Sequence, residues 1–460
     1  MSSDVERVGE VVEPLITGEE KVGMVVFSTI VAVCGSYSFG TCVAYSSPAQ
    51  YELMRDLDLS YSQYAVFGSI ITIGAMLGAI TSGRIADLFG RKGAMWLAAI
   101  VCISGWVAIY WAWGTISLYL GRCLTGYAIG IFSYVVPVYI GEITPSKLRG
   151  LLASLNQLLI VIGLSATYVI GAFLSWRLLA LTGLIPCGIL CIGLSFIPES
   201  PRWLAMKGRS EEFNASLRKL RGAHADISVE ETAIQTSLHV LNGLPKATIL
   251  TMFDENNIRA VIISVGLMAI QQLGGINGII FYSEHIFTTA GFNPSLGSIL
   301  FSLLQVVLTA LGAFLMDRAG RRSLLLLSSS GLLLGNLLIA FSFLLQDKGY
   351  ALDLVPDLAI GGVLVYIAAF SMGMGAVPWI IMSEVFPLHV KGIGGAMVTL
   401  MNWITTWTVS FSFTFLMMWS TYGTFLIFAA VCALGIVFIY KMVPETKGRT
   451  LEEIHASLNS

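Results

Sequence analysis

The sequence predicts an all-α integral membrane protein: twelve transmembrane helices in two six-helix bundles, with short cytosolic helices between the halves. Three observations carry this. Hydrophobic residues make up 56% of the chain and charged residues only 12%, whereas about a quarter of a soluble domain is charged. The apolar residues gather into twelve runs of roughly the 20 residues that a bilayer demands. Polar motifs at the ends of alternate runs recur in the same order in both halves.

The elements follow in chain order. Residues 1–23 carry Asp4, Glu6, Glu10, Glu13, Glu19 and Glu20. A cleavable signal begins basic, so this stretch reads as a disordered cytosolic tail. Spans fall near 24–46, 64–83, 94–113, 117–139, 152–174 and 177–197, which make a first bundle over 24–197. A polar cytosolic linker occupies 198–258, where the pattern at 210–221 predicts a short amphipathic helix. A second bundle over 259–441 holds spans near 260–283, 296–316, 323–345, 359–382, 394–418 and 423–441. Residues 442–460 form a cytosolic tail. With both termini in the cytosol, only Arg55, Arg177 and Lys348 fall on the opposite side, and Arg122 lies within the fourth span. Positive charge on the cytosolic loops fixes that orientation.

Charge and cysteine usage exclude other classes. The 26 Lys and Arg nearly balance the 28 Asp and Glu, which gives no basic footprint for a nucleic acid. Most of the seven cysteines sit in apolar runs, where a thiol behaves as a small hydrophobe. Neither they nor the scattered His224, His239, His285, His389 and His455 make a metal-ligand spacing, so no metal or cofactor is expected. No nucleophile–base pair or phosphate loop suggests an enzyme. No charged ring or filter-like segment suggests a channel.

The halves repeat each other. Gly83-Arg84-Ile-Ala-Asp87-Leu-Phe-Gly90-Arg91-Lys92 follows the second span, and Asp317-Arg318-Ala-Gly320-Arg321-Arg322 follows the eighth. Glu142, Pro145, Arg149 and Gly150 follow the fourth; Glu384, Pro387, Lys391 and Gly392 follow the tenth at equal spacings. Pro198-Glu-Ser-Pro-Arg202 follows the sixth, and Pro444-Glu-Thr-Lys-Gly-Arg449 the twelfth. Three motifs in register, each with one orientation, mark halves related by an axis along the membrane normal.

Together with Gln271-Gln272-Leu-Gly-Gly-Ile276-Asn277, these motifs resemble the sugar porter family of the major facilitator superfamily over nearly the whole chain. Within that family the sequence is most similar to the plant early-dehydration-response branch, and the short loop at about 47–61 fits it. The resemblance implies a monosaccharide carrier, hexose and most readily glucose, working by alternating access. Its partners would be the sugar and the lipid bilayer, with the chain a monomer. The branch implies the vacuolar membrane, with the plasma membrane as the alternative. Leu15-Ile16 follows several acids as a sorting dileucine would, though its acid, Glu10, stands one residue too early. Asn214-Ala-Ser216 fits a glycosylation acceptor but falls on the cytosolic side.

Charged residues at matching span ends form the first candidate set: Arg84, Asp87, Arg91, Glu142, Arg149 and Glu199 in one half, Arg318, Arg322, Glu384, Lys391 and Glu445 in the other. A single loop charge is most simply a topology signal, and an exposed pair contributes about 0–1 kcal/mol. Their duplication, and the resemblance, imply ion pairs that form when the cytosolic face closes and part when it opens. Amides at membrane depth form the second set. Alone, each would be interhelical glue worth about 0.6 kcal/mol. A sugar needs groups that donate and accept without a buried charge, which amides supply. The resemblance places Gln157, Gln271, Gln272, Asn277, Gln305, Trp379 and Asn402 around the substrate. Gly274, Gly275 and Gly278 in the seventh span, and Gly373, Gly375 and Pro378 in the tenth, suggest local unwinding beside them. Ile280, Phe281 and Tyr282 would close the outer lid.

Proton-coupled relatives carry an Asp in the first span, paired with an Arg in the fourth. Here Ser38 and Arg122 hold those places. Ser cannot titrate near neutral pH, so facilitative transport is expected. Proton-coupled antiport or symport through Glu142, Glu384 or Asp87 is the alternative. A non-transporting sugar sensor is the alternative of another class, disfavoured by the short tails.

Overall fold

The computed structural model describes residues 22–145, 148–222, 225–243, 248–387 and 390–447. Most of both tails, with the dileucine, lies outside them. The first span is Gly23–Ala44, and the stretch after it is not a loop but the helix Ser46–Asp56. Spans two and three run as one helix, Tyr61–Tyr110, started by a capping box in which the Ser60 hydroxyl accepts from Gln63 N–H and the Gln63 side chain accepts from Ser60 N–H. The helix bends at Gly90, whose φ of 82° only glycine adopts readily. Spans four and five are Thr115–Ile143 and Arg149–Gly171. The sixth is Trp176–Thr182 continued by Leu184–Leu194.

The linker holds Pro201–Met206, Ser210–Arg221 and Ser228–Gly243. Trp203, Leu204, Phe213, Leu217 and Ile227 form its own small core. Arg221 fastens it to the first bundle, donating to the Ile143 carbonyl at 3.0 Å and to Glu230 at 2.8 Å.

In the second half, span seven is split into Glu255–Leu273 and Ile276–Thr289. The eighth and ninth spans are Pro294–Arg318 and Arg321–Lys348. The tenth runs Val355–Ala369, then a π turn at Phe370–Met374, then Val377–Val385. Lys391–Trp419 and Thr421–Met442 complete the set. Among the described residues, ten helical segments are long and apolar enough to cross a membrane. The 50-residue segment Tyr61–Tyr110 counts as two spans, and Lys391–Trp419 adds one more, which makes the expected twelve.

Within the first bundle, spans two and four approach backbone to backbone: a Cβ on Gly126 would strike the Ile71 carbonyl. Small residues permit such contact where lipid gives no hydrophobic drive for association. The bundles meet where the helix Tyr61–Tyr110 packs on span eleven and span five on span eight. Helix Ser46–Asp56 also lies on Ile276–Thr289. Among the described residues the duplicated charged motifs gather around Arg91, Glu142 and Glu199 in one half and Arg321, Glu384 and Glu445 in the other, at the end called here the motif end; the opposite one is the far end.

Candidate functional site

Spans seven and ten break side by side at mid-molecule. Gly275 adopts φ 103°, and a Cβ there would strike the Phe428 ring. The Gly274 carbonyl, freed from the helix, accepts from Tyr366 Oη at 3.1 Å and Asn336 Nδ2 at 3.3 Å. Across from it, the π turn of span ten releases the Met374 and Gly375 carbonyls, and the Gln271 amide donates to both, at 3.1 Å for Gly375. A broken helix at membrane depth needs such partners, because lipid supplies none.

From Gln271 the amides form a chain. Gln272 Nε2 donates to Gln271 Oε1 at 3.2 Å and to Asn402 Oδ1 at 2.5 Å. Asn277 Nδ2 donates to Gln272 Oε1 at 2.5 Å and to Thr406 Oγ1 at 3.3 Å. The structure thus joins four of the seven expected residues. Gln305 is buried, and among the described residues its Oε1 has no hydrogen-bond partner. Gln157 is half-buried on span five of the other half. Trp379 is half-buried against the core at the start of Val377–Val385. Beside Asn402, the Trp403 ring lies 6.2 Å from Phe39 of the first span, so this level also joins the halves.

The far end is closed between the halves. Tyr282 stacks on Phe413 at 5.0 Å in its own half and meets Tyr64 edge-on at 6.2 Å in the other. The Tyr168 hydroxyl donates to the Ile280 carbonyl. Ser47 and Ser283 share a hydrogen bond of 2.8 Å, and Tyr51 meets His285 at 3.0 Å. Helix Ser46–Asp56 supplies half of this seam, a role hidden by its reading as a loop.

At the motif end the charges pair inside each half. Arg91 donates to Glu142 at 2.9 and 2.8 Å, and Asp87 lies 3.5 Å away. Ser200 Oγ donates to Glu142 at 2.5 Å. The Glu199 carboxylate accepts from the backbone N–H groups of Arg91, Lys92 and Ser200. Burial pushes the Glu199 carboxyl above the usual carboxylate range; those N–H groups and the Lys92 charge partly offset it. Glu445 repeats the arrangement on the N–H groups of Arg321 and Arg322. The match to Arg91 is therefore Arg321, which lies 3.4 Å from Glu384, and not Arg322, whose guanidinium donates to the Tyr440 carbonyl. The signal was present in Gly90-Arg91-Lys92 and Gly320-Arg321-Arg322, where glycine sets the register. None of the ion pairs among the described residues joins one half to the other. Arg84 and Lys391 are exposed, and only the backbone of Arg149 and Arg318 is described.

Ser38 and Arg122 do not meet. The Ser38 hydroxyl donates to the Cys34 carbonyl at 2.9 Å and lies 3.5 Å from Cys187 Sγ. Arg122, fully buried, donates to the Cys42 carbonyl at 2.7 Å and Ser46 Oγ at 2.5 Å, with its guanidinium 5.0 Å from the Phe67 ring centre. Among the described residues none of its hydrogen-bond partners is acidic.

Residues 21–458 match the family model described as "Sugar (and other) transporter". The chain belongs to that family. "Sugar transporter ERD6-like 8" of Arabidopsis thaliana is 57% identical over 99% of this transporter and 98% of its own length. "Sugar transporter ERD6-like 7" of the same plant is 56% identical over 95% and 94%. Among solved structures, the inward-open xylose transporter XylE from E. coli superposes with a TM-score of 0.81 at 26% identity, covering 94% of this chain and 99% of that one. The proton:xylose symporter XylE bound to 6-bromo-6-deoxy-D-glucose gives 0.76 at 28%, covering 95% and 99%. The transporter is thus a membrane carrier of the major facilitator fold and not an enzyme. Its central amides can donate and accept in one place without adding charge, and they lie where two helices are already interrupted.

Proposed function

We propose that this transporter moves a monosaccharide, a hexose and most readily glucose, down its gradient by alternating access of the two bundles around Gln271, Gln272, Asn277 and Asn402. The observation that carries the reading is the amide chain on paired helix breaks. Without sugar the amides satisfy one another, and a ring of hydroxyls can exchange with those bonds one for one. Gln157 and Gln305 complete the site from spans five and eight, and Trp379 packs against the sugar ring. The motif end faces the cytosol by its positive charge. The closed far end, and the superposition on the inward-open form of XylE, support a state open to the cytosol. With Arg91–Glu142 and Arg321–Glu384 paired inside each half while the cytosolic face is open, the duplicated charges act by meeting across the halves when that face closes, and Tyr282 governs the lid. The vacuolar membrane is its place.

Downhill transport is supported by Ser38 and by an Arg122 whose hydrogen-bond partners among the described residues are all neutral. The likeness to the proton:xylose symporter XylE supports the second reading, in which a proton is carried too. Counterflow of labelled glucose in proteoliposomes, with and without a pH gradient, separates the two. Exchange without gradient-driven accumulation is expected. Accumulation would establish proton coupling, and sugar binding without any exchange would establish a sensor.

A further inference from the structure

The far-end seam contains an ionisable group that none of this uses. Glu284 directly follows Ser283, on the segment of span seven that presses against Ser46–Asp56 of the other half. Its backbone N–H donates to Ser47 Oγ across the seam at 3.1 Å. The residue is only 8% exposed, and among the described residues its carboxyl has neither a hydrogen-bond donor nor a cation.

The surrounding ionisable groups confirm that isolation. Tyr51 faces it from Ser46–Asp56, Tyr64 from the second span and Tyr168 from the fifth. Tyr282 and His285 flank it on its own segment; the His285 ring is engaged by Tyr51. Glu52 and Arg55 pair with each other at 3.8 Å on the exposed side of their helix. Arg122 is turned inward to the Cys42 carbonyl and Ser46. From the tenth span the nearest acid, Asp357, is exposed.

Opening the far end exposes the carboxyl fully to water; closing it takes most of that water away, leaving the residue only 8% exposed. A charged carboxylate shut away without a cation is costly, and its neutral form is much less so. We propose that Glu284 is a proton sensor of the far-end gate: acid on that side holds the seam shut, and neutral pH releases it. The proton arrives from and returns to the same side, so it regulates transport without being carried across. This rests on the alternating-access reading. On that reading an acidic compartment would limit sugar entry from itself while leaving the direction of net flow to the sugar gradient.

The test uses the full chain in proteoliposomes, with spin labels at Arg55→Cys and Asn293→Cys reporting the width of the far end. In the parent the closed fraction should rise from about pH 8 to about pH 5, by at most about tenfold per pH unit for one proton. Glu284→Gln, a permanently neutral isostere, should hold the far end closed at every pH and flatten the pH profile of counterflow. Glu284→Asp should keep the pH response. The same response in Glu284→Gln as in the parent would overturn the assignment, as would its loss in His285→Gln alone. Proton-driven accumulation in the parent that vanishes in Glu284→Gln would show a carried proton and overturn the sensor. Absence of counterflow in the parent would strike the transport reading instead.

Discussion

Replacing Gln272 by alanine tests the amide chain at its most connected member. Gln272 makes three of the chain's bonds: to Gln271 and Asn402 as donor, and to Asn277 as acceptor. In the sugar-free protein the loss leaves Asn402 Oδ1 without its donor, while Asn277 keeps Thr406. A net hydrogen bond contributes about 0.5–1.5 kcal/mol, and Gln272 is only half-buried, so water replaces part of each. The expected fall in stability is therefore about 1–2 kcal/mol, below the simple sum of three bonds. Sugar binding should suffer more specifically. If Gln272 gives two bonds to the sugar, about 1–3 kcal/mol is lost, or roughly 5- to 150-fold in Kd. Calorimetry on detergent-purified protein measures the affinity, and a thermal-shift assay measures the stability. The Gln272→Ala, Asn402→Ala pair should be non-additive, because either change breaks the same bond. A Gln272→Ala protein with parental Kd would refute the site, whatever its Tm.

Three further predictions follow from the motif end and the coupling position. The corrected register predicts that Glu384→Ala couples to Arg321→Ala by up to about 1 kcal/mol in a double-mutant cycle. It should couple far less to Arg322→Ala, and equal coupling would restore the register read from the sequence. Because burial raises the Glu199 carboxyl above its unfolded range, its contribution is fully present in acid, below the unfolded value. That contribution is lost as pH rises through the folded value, so a Glu199→Gln protein should lose less stability than the parent between about pH 4 and about pH 7 in thermal-shift scans. An unchanged difference across that window would contradict the burial argument. Ser38→Asp is expected to make transport pH-sensitive, with Arg122 leaving the Cys42 carbonyl for the new carboxylate. A pH profile identical to the parent's would show that these side chains do not meet.

The spans were legible because bilayer thickness sets their length, and hydropathy reports it directly. The helix breaks were legible too: glycine and proline sit beside the amides at Gly274, Gly275, Gly373 and Pro378. The fold of 46–56 was not, since a short polar stretch has too little apolar period to separate a helix from a loop. Its stability comes from packing on span seven of the other half, which sequence order does not announce. The partner of Glu384 was legible but missed: Asp87-x-x-Gly90-Arg91 and Asp317-x-x-Gly320-Arg321 share one spacing, and a second arginine at Arg322 drew the match one residue too far. The resemblance suggested that positions 38 and 122 face each other, but with serine in place of a carboxylate nothing draws the guanidinium there. It takes the Cys42 carbonyl and Ser46 hydroxyl instead.

The interruption at Gly274–Gly275 changes how span seven can work as a mechanical part. A continuous helix is a rod: whatever tilts one end tilts the other, and a push at its middle is spread over its length. Here the rod is cut where the amide chain begins, and Tyr366 and Asn336 hold the cut end in place like a bearing. Glu255–Leu273 is the fixed arm, tied to span ten through Gln271, while Ile276–Thr289 is a separate arm beyond the joint, with Tyr282 half-way along it and against Tyr64 of the other half. A small rotation at Gly275, driven by a ligand that pulls on Asn277, is magnified along that lever before it reaches the Tyr282 ring. On the proposed function, the lid is then worked from the amide chain without either bundle first having to move as a whole.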